Sequence, residues 1–284
     1  MEPIVFSSSA IAAFKRCPKS YQLGYEYNLE PVVTKQYVED GSNFHRLVAG
    51  AAKGETQHND GSDMWNVAVE YMRNVRLPAP DKVLMVEEPL YTELRADVVN
   101  AEGHELGHQI RYVYIRTTFD LVYEREDGTI VARDYKTFEK SPTLDLDLDF
   151  QGRIYIAALM RKYPNTPVEF EYEYVRRVTP GTKNSKGYWT PEDCYLRFPL
   201  IISRREADEI WKETQWVAEA MLAARESSRF WRTDLKGSSP FTCGSCFFKD
   251  LCKAELEHGE LSEQDLAILA PNRREPITLP KEQS

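Results

Sequence analysis

The chain has 284 residues and a formal net charge of −9, from 36 Lys and Arg against 45 Asp and Glu. At roughly 100–200 residues per domain this allows one large domain or two small ones; the acidic balance excludes a histone-like positive coat over nucleic acid but leaves room for a local basic groove. Hydrophobic residues at 42%, aromatics at 12% and charged residues at 29% exclude wholesale disorder and fibrous repeats.

No stretch approaches the roughly 20 consecutive apolar residues of a membrane span. Met1 to Ala13 carries no basic segment followed by an apolar run, so a cytoplasmic protein away from membranes is expected. Ser7, Ser8 and Ser9 before Ala10-Ile11-Ala12-Ala13-Phe14 predict a capped first helix. Pro18 ends or restarts it and places Cys17 at a helix junction. A second helix is expected after Asp40 or Ser42, carrying Phe44, His45, Leu47 and Val48, and a third over Trp65 to Val75. From Lys82 onward Leu84, Val86, Tyr112, Tyr114, Val122 and Tyr123 fall in β-branched or aromatic runs, which predict a sheet. Val168, Phe170, Tyr172 and Tyr174 alternate with Glu169, Glu171 and Glu173, the period-two signature of a strand with one solvated face. A mobile loop is expected over Gly181 to Gly187. A helix over about Arg204 to Glu226 has Ser203 and Glu206 at capping-box spacing, with Ile210, Trp211, Trp216, Val217 and Met221 as its apolar face. The pattern reads as one domain over 1–270, with a helical part (1–80), a sheet-bearing core (81–202) and a helix with a cysteine-rich segment (203–270). A flexible polar tail is expected over 271–284.

The chemistry concentrates in a hairpin. Thr118 to Tyr123 and Thr129 to Thr137 flank Glu126-Asp127-Gly128, and in the second strand Asp134 and Lys136 share one face while Tyr135 takes the other. A two-residue turn at Asp127-Gly128 throws Asp120 and Asp134 onto opposite faces. A three-residue loop with left-handed Gly128 pairs Arg125 with Thr129 and sets Asp120 across from Asp134; this is the expected register. Cross-strand Cβ atoms then lie about 4.5–5.5 Å apart, close enough for two carboxylates to share a divalent cation. Magnesium suits such a pair, because it keeps several waters and takes phosphate oxygens as further ligands. Lys136 on that face would meet a scissile phosphate. The plainer alternative is a surface strand with an Asp134–Lys136 salt bridge. Gln151 and Tyr155, four apart, share a helix face and could together hold a DNA strand or the reactive phosphate against the sheet.

Asp120, followed fourteen residues later by Asp134-Tyr135-Lys136, resembles the acidic strand and D-x-K core of the PD-(D/E)XK nuclease superfamily, with Phe119 where the name has proline. Gly41-Ser42-Asn43-Phe44-His45 is similar to the helical G-x-x-x-H motif of the branch typified by the RecB nuclease domain and the CRISPR-associated RecB-like exonucleases. Gln151-Gly152-Arg153-Ile154-Tyr155 is similar to that branch's Q-x-x-x-Y motif. The resemblance implies an α/β restriction-endonuclease-like core, a mixed β-sheet flanked by helices. It implies Mg2+ or Mn2+ held by His45, Asp120, Asp134 and the Tyr135 backbone carbonyl, with Asp120, Asp134, Lys136, Gln151 and Tyr155 as catalytic residues.

Cys243-Gly244-Ser245-Cys246 followed by Cys252 is C-x2-C-x5-C, and tetrahedral zinc or a cubane iron–sulfur cluster wants a fourth donor. Cys17 is the obvious candidate; His258 is a lesser one for zinc. One N-terminal cysteine with a C-terminal C-x2-C-x5-C is similar to the iron–sulfur staple of AddB-type nucleases and CRISPR-associated exonucleases. That resemblance implies a 4Fe–4S cluster on Cys17, Cys243, Cys246 and Cys252 joining the N- and C-terminal segments; zinc on the same thiolates is the alternative. Cys194 has no spacing partner and reads as a buried thiol.

Asp145, Asp147 and Asp149 lack the glycine and glutamate of a calcium loop and read as a solvated connector. His104 and His108 sit beside Gly103 and Gly107 and read as loop. Glu87 and Glu88 could lend a carboxylate, but nothing in the sequence fixes which faces inward. No P-loop motif occurs. The expectation is a metal-dependent deoxyribonuclease. The resemblance implies an exonuclease acting on single-stranded or end-bearing DNA in recombination, repair or phage DNA processing, with a helicase or CRISPR-type partner. The alternative is a non-catalytic iron–sulfur scaffold in a repair or replication complex. DNA contacts are expected at Lys15, Arg16 and Lys19, or at Arg176, Arg177, Lys183 and Lys186.

Overall fold

The structure is a computed structural model and describes residues 3–30, 36–75, 77–102, 105–139, 149–233, 243, 246–273 and 275–279. Strand β1 (Ile4–Ser7) leads directly into α1 (Ser8–Arg16), because the Ser7 hydroxyl accepts a hydrogen bond from Ala10 N at 3.0 Å and caps the helix. Cys17 turns extended at the end of α1, and Pro18 opens α2 (Pro18–Tyr21) at the position where its missing N–H costs nothing. After strand β2 (Leu29–Glu30), helix α3 runs over Gln36–Ala52, starting earlier than the Asp40 or Ser42 cap expected from sequence, and α4 covers Met64–Asn74.

Contacts group the chain into two compact units, Met1–Thr34 with Tyr91–Arg116 and Lys212–Ser284, and Lys35–Leu90 with Thr117–Trp211. Strands β3 (Val83–Glu102) and β4 (Glu105–Glu124), and a later helix over Arg204–Ser227, each contribute residues to both.

In the Lys35–Leu90 and Thr117–Trp211 unit, β4 pairs antiparallel with β5 (Ile130–Phe138). A crossover through α5 (Phe150–Lys162) returns the chain to β6 (Val168–Arg176), parallel to β5. The segment over 181–187, expected as a loop, forms the short pair β7 (Lys183–Asn184) and β8 (Gly187–Tyr188). After α6 (Pro191–Cys194), β9 (Tyr195–Leu200) pairs antiparallel with β6, so this mixed sheet has the order β4-β5-β6-β9. Phe44, Leu47 and Val48 of α3 and Met64, Val67, Ala68 and Tyr71 of α4 bury against Val86, Leu121, Tyr135 and Val175 of the strands.

The solvated face expected for β6 is not solvated. Glu171 and Glu173 are buried, because β6 is flanked on both sides and its neighbours supply arginines. Arg133 of β5 donates to Glu171 at 2.6 Å, Arg197 of β9 donates to Glu173 at 2.8 Å, and the Tyr123 hydroxyl donates to Glu171 at 3.3 Å. Burial raises the Glu173 carboxyl above its ordinary value, while Arg133 and Arg197 hold it down.

In the other unit, β1 runs parallel to β4 from Ile4 opposite Val113 to Ser7 opposite Arg116. Helix α7 (Arg204–Ser227) starts at the Ser203–Glu206 capping box expected from sequence. Trp216 is 63% exposed and lies outside the apolar face that buries Ala218, Met221 and Leu222; at 3.6 residues per turn it projects away from that stripe. Helices α8 (Lys249–His258) and α9 (Glu263–Leu269) close a small core of Leu23, Leu29, Phe248, Leu251 and Ala270. The tail beyond Pro271 is tied down in part: β10 (Asn272–Arg273) pairs antiparallel with β2, and Arg273 donates to the Tyr27 carbonyl at 3.3 Å. Among the described residues no helix is long and apolar enough to cross a membrane.

Removing one partner of a buried ion network leaves an uncompensated charge. Arg133→Met is therefore expected to lower unfolding stability in urea by about 3–5 kcal/mol; a loss below about 1 kcal/mol would show that Arg197 alone suffices for both glutamates.

Candidate active site

The hairpin has the three-residue register. Gly128 sits at φ +81°, Arg125 N donates to Thr129 O at 2.9 Å, and the ladder pairs Glu124 with Ile130 through to Leu121 with Arg133. The next position brings Asp120 opposite Asp134, and there the ladder stops. In place of a backbone carbonyl, the Asp120 carboxylate accepts the Tyr135 N–H at 2.7 Å.

Helix α3 presents His45 to the same residue. Its Nε2 lies 2.9 Å from the Tyr135 carbonyl oxygen, to which it donates, so Nδ1 faces two carboxylates, Asp120 at 3.4 Å and Glu87 at 3.6 Å. One ligand atom from each of His45, Glu87 and Asp120 lies within 4.8 Å of the others, the one such group among the described residues. An imidazole with two carboxylates is a donor set for a divalent cation such as Mn2+ or Mg2+. The hydrogen bond from Nε2 to a backbone carbonyl is the support that fixes a ligating histidine's tautomer. The Tyr135 carbonyl is thus engaged in orienting His45.

Glu87 is the residue that sequence reasoning left undecided. It adopts φ +53°, a conformation that costs a non-glycine residue about 1–3 kcal/mol and clusters at functional sites. Strand alternation cannot show which way Glu87 points, because its positive φ breaks the alternation within β3.

Asp134 is buried but falls outside the three-residue group; its Oδ2 lies 2.6 Å from the Lys136 ammonium, without the alignment of a hydrogen bond. Burial pushes its carboxyl up to about 6, with the Lys136 charge opposing and the Asp120 charge reinforcing the shift. Lys136 is raised despite its loss of hydration, because the Asp134 carboxylate favours the ammonium form. On α5, Gln151 Nε2 donates to the Tyr155 hydroxyl at 3.0 Å, and the Tyr155 oxygen acts electrostatically on Lys136. The Tyr155 ring packs against Phe119 and Phe170, with centroids at 5.1 and 5.8 Å. Asp149 holds the start of this helix: its side chain accepts from Gly152 N at 3.2 Å and from the Tyr172 hydroxyl. It is therefore a cap and not the solvated connector expected; Asp145 and Asp147 lie outside the described residues. Gly152 is required here, since a Cβ would stand 2.3 Å from the Tyr172 oxygen.

The remaining sequence candidates divide. Cys17, Cys243, Cys246 and Cys252 are all free thiols. Burial raises the Cys246 thiol, and the proximity of Cys17 and Cys243 adds to the shift. Arg232 Nε donates to Cys252 Sγ at 3.1 Å. No three of these sulfurs lie within 4.8 Å of one another. His258 pairs with Asp265 at 3.5 Å, and Cys194 is buried, which raises its thiol. Gly103, His104, Gly244, Ser245 and the side chain of His108 lie outside the described residues.

The basic patches proposed from sequence are largely committed to the protein itself. Lys19 is buried and paired with Glu255 at 2.5 Å, Lys15 pairs with Glu213 at 2.6 Å, and Arg177 pairs with Asp40 at 3.4 Å. Arg176 is buried, stacked over Phe138 and Trp189 at 4.5 and 4.1 Å. Lys183 and Lys186 remain exposed. Sequence spacing reports clusters of cations but not the carboxylates that long-range folding brings to them.

The sequence matches the PD-(D/E)XK nuclease superfamily over residues 5–253, and the chain belongs to that superfamily. No curated protein matches the sequence. Among solved structures, the chain is similar to the crystal structure of SSO0001, with a TM-score of 0.40 and 13% identity over 89% of this chain and 88% of the other. It is also similar to a candidate exonuclease from Eubacterium rectale, with a TM-score of 0.46 and 11% identity over 83% of this chain and 90% of the other. Likenesses at this level carry no argument about chemistry.

His45 gives a direct test of this arrangement. Burial alone would lower its pKa, but the Asp120 and Glu87 carboxylates outweigh burial and raise it to about 10. The folded value lies above the unfolded one, so this pairing stabilises metal-free protein fully below about pH 6.5 and is lost as pH rises through about 10. In an NMR titration of metal-free protein the His45 ring should stay cationic through neutral pH, and Asp120→Asn should lower its pKa. An ordinary value in wild type would show that these groups do not meet.

Proposed function

We propose that this chain is a divalent-metal-dependent deoxyribonuclease that hydrolyses phosphodiester bonds, acting as an exonuclease on single-stranded DNA or on DNA with an accessible end. The observation that carries the reading is the convergence of His45, Glu87 and Asp120 beside the Asp134–Lys136 pair. A divalent ion held there would polarise a phosphoryl oxygen and lower the pKa of bound water. The chain's own groups do the rest. His45, locked by the Tyr135 carbonyl, and Asp120, locked by the Tyr135 N–H, form a rigid donor set, with Asp134 as a further carboxylate. Lys136 carries a permanent positive charge toward the developing charge on phosphate. Gln151 and Tyr155, joined by their own hydrogen bond, hold the strand beside it. The imidazole donor favours Mn2+ over Mg2+, since hard oxygen ligands suit magnesium better.

Asp120→Ala, Asp134→Ala and Lys136→Ala are each expected to reduce cleavage of an end-labelled oligonucleotide by about 10²–10³-fold with unchanged circular dichroism, in line with the loss of positioned electrostatic stabilisation. Testing single- and double-stranded forms with either end labelled reads end dependence and polarity together. Full activity in all three variants would remove the assignment.

We further propose that Cys17, Cys243, Cys246 and Cys252 carry a 4Fe–4S cluster as a structural staple, in a chain that works in recombination, repair or phage DNA processing beside a helicase or CRISPR-type partner. Tetrahedral zinc on the same four thiolates is the alternative. The Arg232 contact to Cys252 is the kind of donor that tunes cluster sulfurs. Anaerobically purified protein should be brown, with iron and sulfide in equal amounts, and Cys17→Ser should bleach it. Colourless protein containing zinc would favour the alternative.

A further inference from the structure

A cavity of about 690 Å³ opens from the candidate active site along one side of α3. His45 and Glu87 stand at one end. Its floor is one side of α3, where Gly41, Ser42 and Ala49 carry little or no side chain, while Gly50 is buried beneath Glu55 and Gln57. The opposite stripe, with Phe44, Leu47 and Val48, is fully buried, so α3 is fixed as the wall of this groove. Two cations face into it, Arg46 and Lys53. Seven residues separate them, nearly two helical turns, so they lie on one side about 10 Å apart along the axis. Arg46 is ion-paired with Asp60, whose carboxyl is lowered chiefly by hydrogen bonds from Ser62 and also by Arg46. Lys53 is exposed and forms no ion pair with a described residue. Beyond Lys53, Glu55 and Gln57 fold back over Gly50, where a Cβ would stand 2.3 Å from Gln57 Nε2.

We propose that this groove is the path of the DNA strand on one side of the scissile phosphate, with Lys53 as its phosphate anchor and Arg46 as a second anchor restrained by Asp60. The inference rests on the nuclease reading above and specifies where that substrate lies. The physical case is size, shape and charge together. The volume lies in the range of about 300–1,000 Å³ typical of ligand sites. The small residues Gly41, Ser42 and Ala49 let a sugar–phosphate backbone approach this side of α3. Lys53 lies eight residues from His45, about 12 Å along the axis, and at about 3.4 Å per nucleotide of a stacked strand this is about three nucleotides from the metal donors. Glu55 repels phosphate at the far end, so the anchored stretch ends at Lys53. With Lys19 and Arg176 buried and Lys15 and Arg177 paired, Lys53 and Arg46 are the cations that the groove itself offers to a strand leaving the site.

The test is a series of single-stranded oligonucleotides from two to twelve nucleotides, cleaved by full-length wild-type, Lys53→Ala, Lys53→Glu and Asp60→Asn protein. Lys53→Ala should raise KM by about 3–10-fold for strands that extend past about three nucleotides, Lys53→Glu more. The slope of log KM against log salt should fall by about 0.7, one phosphate contact on a single strand. Asp60→Asn keeps an acceptor for Ser62 N, which Asp60 now holds at 2.9 Å, while releasing Arg46. It should lower KM for long strands, a gain that misfolding cannot produce. Equal KM and salt slope in all four proteins at every length, with wild type active, overturns the groove and leaves the nuclease reading standing. Absence of cleavage by wild type under magnesium and manganese overturns that reading and this one with it.

Discussion

Everything in the candidate site hangs on the backbone of Tyr135. Its N–H is held by the Asp120 carboxylate at 2.7 Å and its carbonyl by His45 Nε2 at 2.9 Å. The Tyr135 ring is buried between Phe44 and Tyr71, at centroid distances of 5.8 Å from each. Two donor side chains from different elements are thereby referenced to one residue whose own position is set by the core. Packed interiors transmit small shifts with little loss, so the spacing of Asp120 and His45 is as rigid as the aromatic cluster beneath it. Residues 134 and 136, on either side of Tyr135, carry the remaining charge, and the strand's alternation keeps their side chains off the face on which the ring packs.

The same strand also organises the opposite chemistry. Arg133 enters a buried network with Glu171, Glu173 and Arg197. Successive residues of β5 thus serve a structural ion cluster, a carboxylate beside a lysine, and a core aromatic. Buried ionic networks are weak sources of stability, but separating their partners leaves an uncompensated buried charge. A one-residue slip of β5 would bury Asp134 where Arg133 belongs.

The hairpin was readable because its information is local. Gly128 is left-handed, the loop has three residues, and period-two alternation then puts Asp120 across from Asp134 without any knowledge of the rest of the chain. The Ser7 and Ser203 caps were readable for the same reason. What sequence missed depends on partners far along the chain or on broken periodicity. Glu171 and Glu173 look solvated until Arg133 and Arg197 arrive on the flanking strands. Lys19 and Arg176 look free until Glu255, Phe138 and Trp189 are in place. Glu87 could not be oriented because its positive φ interrupts the alternation that orients strand residues. The grouping of residues into interleaved units was hidden as well, since it turns on two 20-residue strands whose length no turn signal marks.

That interleaving bears on how the chain matures on the ribosome. The unit containing His45, Asp120 and Lys136 is complete once Trp211 has been made, whereas the unit containing Cys17 needs residues from Lys212 onward. The N-terminal helix pair therefore waits, with Ile11, Phe14, Tyr21 and Leu23 lacking part of their final burial, while about 180 intervening residues are synthesised at roughly 5–20 per second. For that interval of about 10–40 seconds, the apolar side chains open to chaperones, proteases and aggregation are those of the helix pair Ser8–Tyr21 rather than those of the unit that holds His45, Asp120 and Lys136.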